Sequence, residues 1–431
     1  MAKQINAFIK NLLLVKLYVR ELKKERRKIF LTIAGIAWGT LTIILLLSFG
    51  SGLSKQMMRG QKGLGDNIVI LYGGQTSIEY KGLPQGRGIR LREEDADLLR
   101  RSIPEIDRIA GEYDNWGVTY KYGEKVVNER VRGVSSVGYK EMRSHFPQPG
   151  GRFINEKDIE LRRRVIFIGS SLKEKLLGPK ETAVGKKIFV NNVPFTIIGV
   201  MQEKMQMSMY GGPDADVGVM PASTFKGLFN RVYVSRLIYQ VNEIEKAEFV
   251  NQQVRRVLGR KYQYHPDDQS ALHYWDTIKQ SQISGKMFTG ITIFLGVIGA
   301  MTLIIASIGV ANIMFVTVQK RTREIGIKRA IGGKKSLIKT QFIIEALLID
   351  LSGGFIGGFI AYLIIAGVQS IPKNGSGFGN NMAMQILGNP EFSWTVAIST
   401  ATILGIVGLL SGFFPARRAA AVDPITALHY E

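Results

Sequence analysis

An uncharged apolar run over residues 29–49, IFLTIAGIAWGTLTIILLLSF, restricts the fold of this chain more than any other feature. About 20 apolar residues span a hydrocarbon core roughly 30 Å thick. Inside lipid every backbone polar group must be satisfied within the segment, so the run has to be a helix. Three more runs follow: 288–318 is uncharged, 342–368 is broken only by Glu345 and Asp350, and 392–416 is uncharged. The first run does not read as a signal peptide. Its charged lead is about 28 residues, it exceeds a usual h-region, and no small-residue cleavage site follows it.

The formal charge of +22, from 57 Lys and Arg against 35 Asp and Glu, would by itself suggest a nucleic-acid partner. Its distribution suggests topology instead. Basic residues crowd segments 1–28 and 320–339, whereas 369–391 holds only Lys373 and Glu391. The positive-inside rule therefore places both termini and the 319–339 connection in the cytoplasm, and 54–286 and 369–391 outside. The fold class that follows is an α-helical membrane protein with four transmembrane helices and a large α/β extracytoplasmic domain inserted between helices 1 and 2.

The chain divides into a cytoplasmic amphipathic arm (1–28), transmembrane helix 1 with the start of a stalk (29–53), and the outer domain with stalks (54–286). Transmembrane helix 2 (287–318), a cytoplasmic connection (319–339), helix 3 (340–368), a short outer loop (369–391), helix 4 (392–416) and a cytoplasmic tail (417–431) complete it. In the arm, Ile5, Phe8, Ile9, Leu12, Val15, Val19 and Leu22 recur at helical spacing, which suits an in-plane helix at the membrane surface. With no cysteine, disulfides and thiolate metal sites are excluded, and the four histidines show no metal-ligand spacing. No catalytic constellation and no GxSxG motif appears, so the chain reads as a non-enzyme.

In the outer domain, 67–72 and 165–168 read as strands, 187–190 and 194–200 as a hairpin around Asn191-Asn192, and 91–101, 170–177 and 243–258 as helices. Residues 74–88 form a Gly-rich loop, and the whole is an α/β domain whose length leaves room for one lobe or two. Glycines at 50, 52, 60 and 63 weaken the expectation of a continuous helix beyond the first span. The second run, at 1.5 Å per residue, extends about 46 Å and overshoots the bilayer.

Gly353, Gly354, Gly357 and Gly358 form overlapping small-xxx-small pairs that let a neighbouring backbone approach helix 3. Glu345 and Asp350 are intramembrane charges, and for Glu345 a structural partner such as a neighbouring helix or the basic loop is expected rather than a proton relay. The sixteen residues 320–335, KRTREIGIKRAIGGKK, are tethered between two spans, and topology explains much of their charge. It does not explain the interspersed Ile325, Ile327, Ala330 and Ile331, which suit a short helix laid on the membrane or pressed against a partner.

Residues 309–349, GVANIMFVTVQKRTREIGIKRAIGGKKSLIKTQFIIEALLI, resemble the core signature of FtsX/MacB-type permeases, the type VII ABC transporters. Segments 31–53 and 412–428 are similar to that family's first span and cytoplasmic ending, and 163–178 with 184–201 to its MacB-like periplasmic core domain. The resemblance implies a permease homodimer or heterodimer driven by ABC ATPase subunits, with mechanotransmission from ATP hydrolysis to the outer domain. It also implies that Arg323, Glu324, Ile325, Gly326, Ile327, Lys328, Arg329, Ala330, Gly332 and Gly333 form the ATPase-coupling element. No G-x-x-x-x-G-K-[ST] occurs, so ATP and Mg2+ are expected on a separate ATPase subunit and no cofactor on this chain. A periplasmic adaptor, an outer-membrane duct and membrane lipids are further partners the family implies, in a bacterial inner membrane. Efflux of drugs, peptides or other small molecules is the leading expectation. Lipoprotein release or lipid handling and an FtsX-like regulatory role are the alternatives.

Overall fold

The structure, a computed structural model, describes residues 26–370, 390, 392–423 and 427. The amphipathic arm up to residue 25, most of the 369–391 loop, and Pro424 lie outside the described residues. In chain order the elements are α1 (Arg26–Lys62), β1 (Ile68–Gly73), α2 (Glu94–Ser102), β2 (Ile106–Tyr122), β3 (Lys125–Val134), β4 (Val165–Ile168), α3 (Ser170–Leu177), β5 (Lys187–Val190) and β6 (Val193–Val200). There follow β7 (Val217–Pro221), α4 (Ala222–Phe229), β8 (Arg236–Val241), α5 (Ala247–Tyr262), β9 (Leu272–Asp276), α6 (Thr277–Lys320), α7 (Thr322–Ala330), α8 (Lys335–Gln369) and α9 (Trp394–Ala421). They divide into two units, Met57–Lys286 and the remainder.

The Met57–Lys286 unit is built on one nine-stranded sheet, so its strand pairing draws no second lobe. Six of the strands close on themselves: β2 pairs with β3, β3 with β7, β7 with β4, β4 with β6, β6 with β5, and β5 with β2. Closure removes open edges. Beyond β2 the sheet continues through β8, β1 and β9. Val118, Tyr120, Val131, Ile166, Ile188 and Val190 belong to the main apolar core. The β5–β6 turn is made by Asn191 and Asn192, with φ of 46° and 64°, the left-handed pair that a two-residue hairpin requires. Two helices begin later than their apolar spacing suggests. The Asp95 carboxylate accepts the Arg92 N–H at 2.7 Å, so the chain before Glu94 stays outside α2. A 3₁₀ turn at Ile244–Lys246 precedes α5.

In the other unit, α1, α6, α8 and α9 are each long and apolar enough to cross a membrane. At 44 residues, α6 is roughly 66 Å long, about twice the hydrocarbon thickness. The glycines after the first span do not break α1, which runs on to Lys62. Within the sheet unit its last turn is strapped by the Met205–Met207 segment, where the Met207 N–H donates to the Gly60 carbonyl at 2.9 Å. A side chain at Gly63 would collide with the Met205 backbone.

Helix α1 runs antiparallel to α6, with Gly39 opposite Leu303 and Gly50 opposite Leu295. The α8 glycines divide between neighbours. Gly353 and Gly357 approach α1, where a Cβ would meet Ile36 and the Ala37 carbonyl, while Gly354 faces Leu404 of α9 and Gly358 faces Ile44 of α1.

Candidate functional site, the helix between the second and third spans

The strongest functional candidate is α7, because one of its faces is packed against the end of the fourth span and the other is exposed. The chain leaves α6 at Arg321, whose φ and ψ of −99° and 12° break the helix before nine residues of α7 begin. At the far end Gly332 adopts φ 96°, a conformation that favours glycine, and Gly333 donates its N–H to the Lys328 carbonyl at 2.9 Å. This is a glycine-terminated helix end.

One face is internal. Ile325 is buried, Gly326 is buried where a side chain would collide with Ala427, and Arg329 donates from Nη1 to the carbonyls of Ala420 (3.3 Å) and Val422 (2.8 Å). Arg329 thus caps the C-terminal end of α9, placing positive charge at the negative end of that helix. The other face carries Arg323, Glu324, Ile327, Lys328 and Ala330, all exposed, and continues into Ile331, which is 81% exposed. Ten residues that look like one element in sequence therefore divide into a buried set and an exposed set.

Glu345 and Asp350 sit behind this element. The Glu345 carboxylate accepts from Arg321 Nη1 at 3.3 and 3.4 Å and from Gln341 at 3.3 Å, which ties α8 to the junction of α6 and α7. Asp350 is 1% exposed, and its carboxylate has no hydrogen-bond partner among the described residues. It fills the space left by Gly408 of α9, where a side chain would collide with it.

Sequence reasoning missed a second polar site, buried in the sheet unit. The Asp214 carboxylate accepts from Arg132 (2.7 Å), from Arg143 (2.8 and 2.9 Å) and from Lys204 (2.9 Å), with His145 Nε2 at 3.2 Å. Arg236 bridges Glu112 and Asp114, each at 2.9 Å. The Tyr210 ring lies 4.5–4.8 Å from the guanidiniums of Arg132, Arg143 and Arg236, and its hydroxyl donates to Glu112 at 2.7 Å. Burial alone would raise the Asp214 pKa, but Arg143, Lys204 and Arg132 hold it well below the usual carboxylate range. Against the same burial, Arg132 and Arg236 bring Glu112 down to about 2. Burial, reinforced by Lys204, pushes His145 down to about 3 and keeps it neutral. Arg143 also donates to the Leu64 carbonyl at 2.6 Å, just past the end of α1. The available signal was the spacing of two on facing strands, Glu112 and Asp114 on β2 against Arg130 and Arg132 on β3.

Among the described residues no group of three or more side chains is arranged to hold a metal. Four membrane-capable helices, a large sheet unit and a short helix with one buried and one exposed face describe a multi-span membrane protein that carries a separate sheet domain. The MacB-like periplasmic core domain matches residues 29–257, and the FtsX-like permease C-terminal domain matches 296–424. The chain belongs to the MacB/FtsX-type ABC transporter permeases.

The macrolide export ATP-binding/permease protein MacB of a Shewanella species is 29% identical over 96% of this chain. The pyoverdine export ATP-binding/permease protein PvdT of Pseudomonas fluorescens is 29% identical over 94% of it. The chain spans about 60% of the length of these relatives, 60% and 58% respectively. The periplasmic region of MacB from Actinobacillus actinomycetemcomitans matches 52% of this chain and 94% of its own, at 17% identity and a TM-score of 0.41.

Proposed function

We propose that this chain is the non-catalytic permease of an ATP-driven exporter, with ATP and Mg2+ bound by a separate ABC ATPase subunit that docks on α7. Its sheet domain is inserted between the first and second spans, α1 and α6, and stands outside the membrane while both termini face the cytoplasm. ATP hydrolysis moves the spans, and the motion reshapes the outer domain, which is mechanotransmission. Two copies of the permease, or two related permeases, work as a pair in a bacterial inner membrane, with a periplasmic adaptor and an outer-membrane duct as further partners. Efflux of drugs, peptides or similar small molecules is favoured by the export activities in the names of the relatives.

The observation that carries this reading is the outward face of α7. Exposed Ile327 and Ile331 beside Arg323, Glu324 and Lys328 are what a protein-docking surface presents, an apolar centre within a charged rim. Purification in mild detergent should recover an ABC ATPase with the permease. Reversing charge on this face, Arg323→Glu with Lys328→Glu, should deplete that ATPase while membrane insertion is unchanged. Full recovery with ATP turnover still coupled would remove α7 as the docking element.

A further inference from the structure

The segment that straps the end of α1, residues 201–210, reads MQEKMQMSMY and places Met205, Met207 and Met209 at alternate positions. The side chains beside them turn inward, to the buried charges of the sheet unit. Lys204 Nζ donates to the Arg143 carbonyl at 2.7 Å and to Asp214 at 2.9 Å, and Gln206 accepts the Asp214 N–H at 3.0 Å. Tyr210 is buried with its hydroxyl on Glu112. The three thioethers are left half-buried at the surface. Met142, Met201 and Met220 of the same unit are each 1% exposed or less.

Met207 carries the contact with the helix. A Cβ on Gly60 of α1 would collide with Met207 Cγ and Sδ, so the thioether rests directly on the glycine, beside the hydrogen bond that Met207 N–H makes to the Gly60 carbonyl. A flexible apolar side chain fits such a bare stretch of helix. The backbone donors of that turn are already spent, with Gly63 N–H on the Arg59 carbonyl and Leu64 N–H on the Gln61 carbonyl, both at 3.1 Å. An oxygen added to the sulfur finds no backbone donor there, and a polar group buried without a partner is costly. It therefore turns toward water and lifts the side chain off Gly60.

We propose that Met207, with Met205 and Met209 beside it, is an oxidation site that sets how tightly the strap holds the end of α1. The substrate is a two-electron oxygen donor of the hypochlorous acid class. Its oxygen bonds to Sδ, the O–Cl bond breaks to release chloride and a proton, and the thioether becomes a sulfoxide, polar and chiral where it was apolar. A methionine sulfoxide reductase reverses the step, two thiols becoming a disulfide as the oxygen leaves in water.

The full chain in nanodiscs is titrated with hypochlorous acid, quenched with free methionine, and its sulfoxides are mapped by mass spectrometry. Met58, 38% exposed on α1, serves as the open reference thioether. Met205, Met207 and Met209 should convert along with Met58 and before Met142, Met201 and Met220. Amide exchange at Met207 and through residues 60–64 should then rise about tenfold, and fall back after treatment with the reductase and dithiothreitol. Met207→Leu keeps an apolar cover of similar volume and should show no rise on oxidation, whereas Met207→Gln should show it without any oxidant. Oxidation of Met207 no faster than that of Met142 would overturn the site. So would unchanged exchange once the Met207 sulfoxide has formed, or an equal rise in oxidised Met207→Leu. No readout involves an ATPase or a transported molecule, so these results and those on α7 are independent.

Discussion

Truncating both exposed isoleucines of α7, Ile327→Ala with Ile331→Ala, separates docking from folding. Burying an isoleucine completely is worth about 2 kcal/mol. Ile331 has 81% of its surface to give and Ile327 has 42%. Docking that covers both, less what alanine retains, stabilises the complex by about 2 kcal/mol, or ~30-fold in Kd. The double variant should fold normally, because neither side chain packs against the permease core and alanine is the better helix former. The assay is titration of the copurifying ATPase onto immobilised permease in nanodiscs, beside a thermal melt of the permease alone. A Kd within about twofold of the parent at unchanged Tm would refute the reasoning, since a hot-spot pair of this exposure would then lie outside the interface.

Arg329→Ala should behave in the opposite way, lowering Tm because the Ala420 and Val422 carbonyls lose their donor, at a cost of about 1–3 kcal/mol, with any loss of docking following from that. Gly357→Ala should destabilise the detergent-solubilised protein by roughly 1–3 kcal/mol, since its Cβ runs into the Ala37 backbone, whereas Gly290→Ala should be neutral or slightly stabilising. Asp214→Ala leaves Arg132 and Arg143 buried without their shared carboxylate and should cost about 3–5 kcal/mol, read by the Trp116 and Trp275 fluorescence of unfolding. Acid stability should report His145, which protonates near 6.5 when unfolded but only near 3 when folded. The unfolded chain then binds the extra proton, so this contribution is complete above about pH 6.5 and is lost on acidification at up to ~1.4 kcal/mol per pH unit, about 2 kcal/mol by pH 5. His145→Gln should flatten that slope, and an unchanged slope would remove His145 as its source.

What could be read from the sequence was whatever the solvent enforces locally. Lipid demands long uncharged helices, and the four runs were visible for that reason. The strand Val165–Ile168, the helix Ser170–Leu177 and the Asn191-Asn192 turn follow from short-range periodicity and backbone preference, and the structure has each of them. What escaped depends on partners far along the chain. Strand β2 contains Gly111, Gly117 and three acids, so its 17 residues do not read as a strand until β3, β5 and β8 pair with it. Glu112 and Asp114 carry no signal of burial in the sequence, because alternation records only that charge is segregated from apolar residues. It does not record that Arg130, Arg132 and Arg236 pair with these two carboxylates.

The same limit applies to the proposed coupling helix. Composition marked 320–335 as basic and partly apolar, and the family signature marked it as one element, yet neither separates Arg329 from Arg323. Only the fold does, because the end of α9 lies beneath one face of α7 and accepts hydrogen bonds from Arg329 alone of the two. A cation spent on a helix terminus cannot also be a free docking charge. The proposed docking surface therefore rests on Arg323, Lys328 and the two exposed isoleucines. Arg329 acts one step behind them, holding that surface on the end of the fourth span.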